Sequence, residues 1–346
     1  MATRWNICVL GAGSWGTTLA ILLDENGHSV RMWEFFPEHV AAIKRDGENR
    51  KFLPGVPVPP SITVTSSMDE ALANADMVVF VVPSHVVRET ARTLAASRHR
   101  NPDALIINAA KGLEEGSLKR MSEVLADELP GDPSRIFSII GPSHAEEVSR
   151  KMPTSVVVAG ERTPEIELVQ EAFFSPYFRV YTNDDLVGVE IAVALKNIIA
   201  IAAGVCDGLG YGDNTKAALL TRGLVEITRL GRALGAKQET FAGLAGVGDL
   251  IVTCCSKHSR NRSVGERIGR GETLEQILAD MVMVAEGVRT TRAAVQLARE
   301  RNIELPIIES MYNILFNNKD PEQAITELMN RPPTDEMHWM DSFKDS

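Results

Sequence analysis

The stretch Ile7-Cys8-Val9-Leu10-Gly11-Ala12-Gly13-Ser14-Trp15-Gly16 decides how the first half of this chain is read. Four apolar residues form a short run that suits a buried strand, and three glycines follow at fixed spacing before a helical pattern, Thr17–Glu25. Gly11 permits a tight turn and Gly13 lets a backbone approach a pyrophosphate. Gly16 lets the helix pack close to the strand, and the helix N-terminus presents N–H groups to phosphate oxygens. A bare G-x-G-x-x-G is a weak signal. Here a second strand, Ser29–Trp33, ends at Glu34, 18 residues beyond Gly16, close to the spacing of about 20 expected for the carboxylate that meets the adenosine ribose. The segment therefore predicts a dinucleotide site.

Glu34 carries a second expectation. A carboxylate at that strand end accepts from both ribose hydroxyls and repels a 2′-phosphate. Phe35-Phe36-Pro37 follows it, so no arginine stands where a 2′-phosphate would need one, and Arg31 lies within the strand. The expected cofactor is NAD(H) rather than NADP(H).

Outward from this unit, short β-branched runs recur at Met77–Val82, Ala104–Asn108, Ile136–Ile140, Ser155–Ala159 and Phe178–Tyr181. Helical patterns such as Val86–Ala96 and Leu118–Glu128 alternate with them. Alternation of this kind predicts parallel strands joined by right-handed crossovers, an α/β Rossmann-type doubly wound sheet. After about Asp185 the strand signals stop. Leu186–Gly204, Thr215–Leu234, Leu274–Asp280, Thr290–Arg301 and Ile307–Phe316 read as helices, interrupted by glycine-rich stretches at 204–212 and 243–249. Asn214-Thr215 and Thr290 are candidate N-caps and Gly235 a candidate C-cap. The expected organisation is a dinucleotide-binding domain over 1–184 and an all-α, substrate-binding C-terminal domain over 185–346.

A chain of 346 residues exceeds the size at which one core usually keeps growing, and a net charge of −10 argues against a nucleic-acid partner. Cys8, Cys206, Cys254 and Cys255 are too few and too irregular for a disulfide framework, and no pair stands at metal-ligand spacing. No basic stretch precedes an apolar run at the N-terminus. The longest apolar run, Ile191–Val205, is interrupted by Lys196 and Asn197, so neither a leader nor a membrane span is expected. A cytoplasmic protein is the simplest expectation.

Three segments look chemical. In Asn108-Ala-Ala-Lys111-Gly-Leu-Glu a strand ends in a lysine at a glycine turn, where ligands of open α/β sheets gather; a solvated loop lysine is the alternative. Lys196-Asn197 sits inside Ile191–Ala203 with apolar residues on every side. An ammonium there must snorkel, pair with a carboxylate, or shed its proton more readily through desolvation. The third segment runs from Gly243-Leu-Ala-Gly-Val-Gly-Asp249 to Ser259-Arg260-Asn261-Arg262. Asp249 lies in a glycine turn where it could pair with a buried lysine. Ser259, Arg260 and Asn261 offer a hydroxyl, a guanidinium fork and an amide suited to phosphate oxygens. Alternatively, this block only caps a helix beginning near Arg262.

Taken together, these motifs resemble the soluble NAD-dependent glycerol-3-phosphate dehydrogenases. The matching segments are Gly-Ala-Gly-Ser-Trp-Gly, Asn-Ala-Ala-Lys-Gly-Leu-Glu, Gly141-Pro-Ser143-His-Ala145-Glu-Glu, Ala-Leu-Lys-Asn-Ile-Ile-Ala, and Gly-Leu-Ala-Gly-Val-Gly-Asp-Leu followed by Ser-Arg-Asn-Arg. They occur in the family's order from residue 7 to about 290. The resemblance implies a Rossmann domain joined to a helical domain with the active site between them, NAD as cofactor and a homodimer. It further implies interconversion of glycerone phosphate and sn-glycerol 3-phosphate, feeding glycerophospholipid synthesis.

Carried over by motif, Lys196 is the proton donor and acceptor at the substrate C2 oxygen. Lys111 lies beside that oxygen and the cofactor, and Asp249 orients the lysines. Ser259, Arg260 and Asn261 hold the substrate phosphate, with Asn197 beside them, and Arg260 also meets the cofactor. Gly141, Ser143 and Ala145 line the substrate and nicotinamide region. Gly11, Gly13, Ser14, Trp15, Gly16, Glu34, Phe35, Val284 and Glu286 contact the dinucleotide. One departure bears on cofactor choice: bacterial members usually carry a basic residue two positions after the tryptophan that Trp33 matches, and here Phe35 stands there. The nearest alternative, a ketopantoate or 3-hydroxy-acid dehydrogenase of like architecture, lacks the Ser-Arg-Asn-Arg block.

Overall fold

A computed structural model describes residues 4–281 and 285–336. The chain divides into two compact units, 1–114 with 119–190, and 115–118 with 191–346.

The first unit is built on one eight-stranded sheet. Its strands are β1 (Asn6–Leu10), β2 (Ser29–Trp33), β3 (Thr63–Thr65), β4 (Met77–Phe80), β5 (Leu105–Asn108), β6 (Ile136–Ile140), β7 (Thr154–Ala159) and β8 (Phe178–Asn183). They lie in the order β3-β2-β1-β4-β5-β6-β7-β8. The first six follow the 3-2-1-4-5-6 order of dinucleotide-binding sheets and are parallel throughout. The helices are α1 (Ser14–Glu25), α2 (Pro37–Asp46), α3 (Met68–Leu72), α4 (Val87–Ala96), α5 (Met121–Glu128), α6 (Ala145–Val148) and α7 (Pro164–Phe173).

Alternation along β1 shows why both faces are covered. Ile7 and Val9 join Leu19, Leu22 and Leu23 of α1 and Val169 and Phe173 of α7 in one core. Cys8 and Leu10 join Val87, Ala91 and Leu94 of α4 and Val124 and Leu125 of α5 in the other. A strand buried on both faces needs the continuous apolar run seen in the sequence.

Two sheet features depart from expectation. The strands are not all parallel, because β7 runs antiparallel to β6. The segment joining them holds only the four-residue α6, too little for the usual helical crossover of a parallel pair. β3 gave no sequence signal: three residues, two of them threonine, paired along one edge of β2.

Among the described residues the second unit has no strands. Its helices are α8 (Leu186–Gly208, which begins in the first unit), α9 (Asp213–Ala233), α10 (Asp249–Cys255), α11 (Arg260–Gly269), α12 (Leu274–Asp280), α13 (Glu286–Glu300), α14 (Pro306–Phe316) and α15 (Pro321–Met329). α8 is long and apolar enough to cross a membrane by length and composition, yet 89% of its most apolar window is buried inside the protein. It is a core helix.

Several local expectations change. Gly204 and Gly208 do not interrupt α8; they lie within it. A Cβ on Gly204 would sit 1.9 Å from the Arg262 carbonyl oxygen, and one on Gly265 would sit 1.8 Å from that of Ile201. The glycines let α8 and α11 touch backbone to backbone. α9 starts after Gly212 rather than at Asn214-Thr215, and α13 starts after Ala285, with Thr290 a turn inside. Gly235, at φ +92° just past α9, ends that helix as expected. α10 and α15 went unread in the sequence, and α11, expected in one of two readings to begin near Arg262, begins at Arg260.

Candidate active site

In the first unit the glycine loop has the geometry that its sequence requires. Gly11 sits at φ +110°, reserved in practice for glycine, and its N–H donates to the Trp33 carbonyl at 2.9 Å. A Cβ on Gly16 would fall 1.9 Å from the Gly11 oxygen, whereas one on Gly13 would meet nothing within 4 Å. The turn is thus closed at Gly16 and open at Gly13, where a ligand's phosphates must approach. α1 has no side-chain cap and no acidic residue in its first turn, so its leading N–H groups favour an anion. Trp15 Nε1 is buried without a hydrogen-bond partner among the described residues. This cradle fits a dinucleotide pyrophosphate.

Glu34 is buried at the end of β2. Its Oε2 accepts from Ala12 N and its Oε1 from Phe36 N, each at 3.2 Å. Phe35 is 65% exposed, its ring 6.2 Å from Trp33 and 5.1 Å from Phe36, so an apolar ledge projects beside the carboxylate. Arg31 turns away and donates to the Ala73 carbonyl at 2.6 Å.

Lys111 follows β5, and its Nζ donates to the Gly141 carbonyl at 3.3 Å. Ser143 Oγ donates to the same oxygen at 3.0 Å. Gly141 is required there because a Cβ would lie 2.9 Å from Val156 Cα. Ala145 is buried at the start of α6. The lysine's loop has a deep anchor that sequence reasoning missed, namely Glu190. Its carboxylate accepts from Ser122 Oγ (2.6 Å), Ser138 Oγ and Arg120 Nη1 (both 2.8 Å), Ser122 N (3.1 Å) and Asn108 Nδ2 (3.2 Å). Asn108 in turn accepts from Ala110 N at 3.0 Å. A buried charge with five donors is satisfied, and it fixes the root of the Lys111 loop.

In the second unit Lys196 does not snorkel. At 3% exposure on α8 its Nζ lies 2.6 Å from Asp249 Oδ1 and donates to Thr253 Oγ1 at 2.5 Å. The Thr253 hydroxyl donates back to the Asp249 carbonyl at 2.6 Å. Asp249 opens α10 directly after a π-type turn, Leu244–Gly248, whose two glycines and neighbours fold tightly enough that a Cβ on Gly246 would lie 2.0 Å from the Phe241 carbonyl. Thr253, one helical turn after Asp249, escaped the sequence reading. Its i+4 spacing from the aspartate was the available signal.

Asn197 Oδ1 accepts from Asn261 Nδ2 at 3.0 Å, and Asn261 Oδ1 accepts from Gly287 N at 2.9 Å. Asn197 and Asn261 are both buried. The Ser-Arg-Asn-Arg block does cap a helix: Ser259 precedes α11 and its Oγ accepts from Arg262 N at 3.2 Å. The two readings of that block were not exclusive. Arg262 is engaged by Asp207 at 2.6 Å, whereas Arg260 is exposed at the first position of α11. Glu286 is the first residue of α13, beside Gly287. Val284 lies outside the described residues.

A glycine cradle with a strand-end carboxylate, and in a helical unit a buried lysine–aspartate–threonine group beside an arginine–asparagine block, define a nicotinamide-dinucleotide oxidoreductase of the two-domain type. The chain belongs to the NAD-dependent glycerol-3-phosphate dehydrogenase family. Residues 6–165 match the family's N-terminal model and residues 185–326 its C-terminal model. A glycerol-3-phosphate dehydrogenase [NAD(P)+] of Desulfitobacterium hafniense is 52% identical over 94% of this chain and 91% of its own. One from Chlorobium luteolum is 50% identical over 96% and 99%. The crystal structure of glycerol-3-phosphate dehydrogenase from Coxiella burnetii, 38% identical, superposes with a TM-score of 0.90 over 95% of this chain and 99% of that one. The family uses NAD or NADP.

Proposed function

We propose that the chain interconverts glycerone phosphate and sn-glycerol 3-phosphate with NAD(H) preferred over NADP(H). The observation that carries this reading is Lys196, buried and held by Asp249 and Thr253, next in the chain to Asn197 of the Asn197–Asn261 pair. A nicotinamide dinucleotide held there would supply the hydride that reduces substrate C2. Reduction leaves an alkoxide at the C2 oxygen, and Lys196 gives it a proton while Asp249 and Thr253 hold the ammonium in place. Lys111 stabilises the same developing charge. Ser259, Arg260 and Asn261 grip the phosphate, and binding energy taken far from C2 orients the carbonyl. Gly141, Ser143 and Ala145 line the substrate and nicotinamide region.

The cradle Gly11, Gly13, Ser14, Trp15 and Gly16 holds the pyrophosphate. Glu34 and Phe35 meet the adenosine, and Glu286, with Val284 near it in sequence, contacts the dinucleotide from the second domain. In this reading residues 1–184 form the dinucleotide-binding domain and 185–346 the substrate-binding domain. The enzyme works in the cytoplasm as a homodimer and feeds glycerophospholipid synthesis. NADH oxidation in the presence of glycerone phosphate, and its absence with ketopantoate, tests the activity; the reverse result would overturn it.

A further inference from the structure

The glycine loop is the part of the dinucleotide site least able to fix its own shape, because Gly11 and Gly13 flank a single constrained residue, Ala12. Its conformation must therefore be set from outside. Ala12 N–H donates to Glu34 Oε2 at 3.2 Å, and Ala12 C=O accepts from Asn49 Nδ2 at 2.8 Å. The same Nδ2 donates to Thr17 Oγ1 in α1 at 2.8 Å. Asn49 lies in the loop after α2 and is fully buried, at 0% exposure.

A carbonyl only accepts, so the Asn49 atom facing Ala12 O must be nitrogen, and Oδ1 must face the other way. It faces His39 Nε2 at 3.0 Å, which therefore carries the hydrogen. The other ring nitrogen, Nδ1, lies 3.5 Å from Glu34 Oε2 without a hydrogen bond to it. Hydrogen bonds thus run from His39 through Asn49 to the Ala12 carbonyl and from the Ala12 N–H to Glu34, a buried chain that passes through one peptide.

We propose that Asn49 and His39 are positioning residues of the dinucleotide site. They hold the Ala12 peptide, whose N–H meets the Glu34 carboxylate, and through that peptide they set affinity for the cofactor without touching the reacting atoms. The proposal rests on the reading that this cradle and Glu34 bind NAD(H). A carboxylate has about four acceptor positions. Ala12 and Phe36 take one on each oxygen, and His39 packs against a third side, which leaves the remaining edge for ribose hydroxyls.

The test is Asn49→Asp, nearly the same size, which sets an acceptor against the Ala12 carbonyl. Losing a buried hydrogen bond and leaving an acceptor unpaired predicts a rise of roughly tenfold or more in the Kd for NADH by fluorescence titration. At saturating NADH, kcat stays within about twofold, and the KM for glycerone phosphate does not move, because the reacting groups are untouched. A second pair of variants covers the case in which Asn49→Asp does not fold. His39→Leu removes the donor to Asn49 and weakens NADH binding, whereas His39→Gln retains an N–H donor and restores most of it. A wild-type Kd for NADH in folded Asn49→Asp, or equal Kd values for His39→Leu and His39→Gln, overturns the proposal alone. Failure of the wild-type protein to bind NADH overturns the cofactor reading, and this proposal with it.

Discussion

Lys196 and Asp249 stand 2.6 Å apart, Nζ to Oδ1, with both side chains all but removed from water. A pair so placed is costly to assemble and more costly to break, since removing one partner leaves an uncompensated buried charge worth about 3–5 kcal/mol. Lys196→Ala should therefore lower kcat by about 10²–10⁴-fold while the Kd for NADH stays near wild type. Stopped-flow turnover beside a fluorescence titration separates the two. Near-normal turnover removes Lys196 from the proton-transfer role.

Arg260 should act on the substrate phosphate more than on chemistry. Loss of a charge-assisted hydrogen bond of about 1.5–3 kcal/mol predicts that Arg260→Ala raises the KM for glycerone phosphate by roughly 10–100-fold. Arg262, paired with Asp207 at 2.6 Å, should instead show its loss in melting temperature. Steady-state kinetics and a thermal melt on both variants check this. If Arg262→Ala raises that KM and Arg260→Ala does not, the assignment of the two arginines is wrong.

Cofactor choice turns on Glu34. A 2′-phosphate brought beside its buried carboxylate meets like charge and loses solvation, so kcat/KM should favour NADH over NADPH by at least about tenfold. Glu34→Gln should narrow the gap. Equal efficiencies with the two cofactors in the wild-type enzyme would end the NAD preference.

Stability should depend on pH through Glu226. This carboxyl on α9 is buried and accepts from Ile307 N (2.7 Å) and Ile308 N (3.0 Å) at the start of α14. Burial pushes it from the ordinary 4.5 up to about 7, against the pull of those two N–H groups. Between these values the folded chain holds a proton that the unfolded chain has lost. The stabilisation is then complete below about pH 4.5 and disappears as pH rises through about 7, by at most about 1.4 kcal/mol per unit. Melting temperature followed from about pH 5 to 8 should fall more steeply in wild type than in Glu226→Gln. Parallel curves would sink the prediction.

Seven of the sheet's eight strands and the glycine cradle were legible because periodicity and glycine spacing are local. β3 was not, since its three residues become a strand only through pairing with Arg31–Trp33, and neither was the reversal at β7. The same division runs through the site. Lys196 was conspicuous as a charge in an apolar helix, and Asp249 as its prospective partner. Glu190, Asn49 and His39 were silent, because their roles depend on residues 10 to 82 positions away, and Thr253 offered only its i+4 spacing from Asp249. Polar residues in loops and helices look alike until the fold says which are buried.

The direct backbone contact of α8 with α11 at Gly204 and Gly265 has a consequence for how this enzyme can change. Where side chains separate two helices, a pocket can be widened or narrowed one rotamer at a time. At these glycines the helix bearing Lys196 and the helix that opens with Arg260 meet backbone to backbone, so their spacing at that crossing has no fine adjustment. A lineage or an engineer seeking a longer substrate would have to alter the turn before α10 or the segment ahead of α11, and leave the glycines alone.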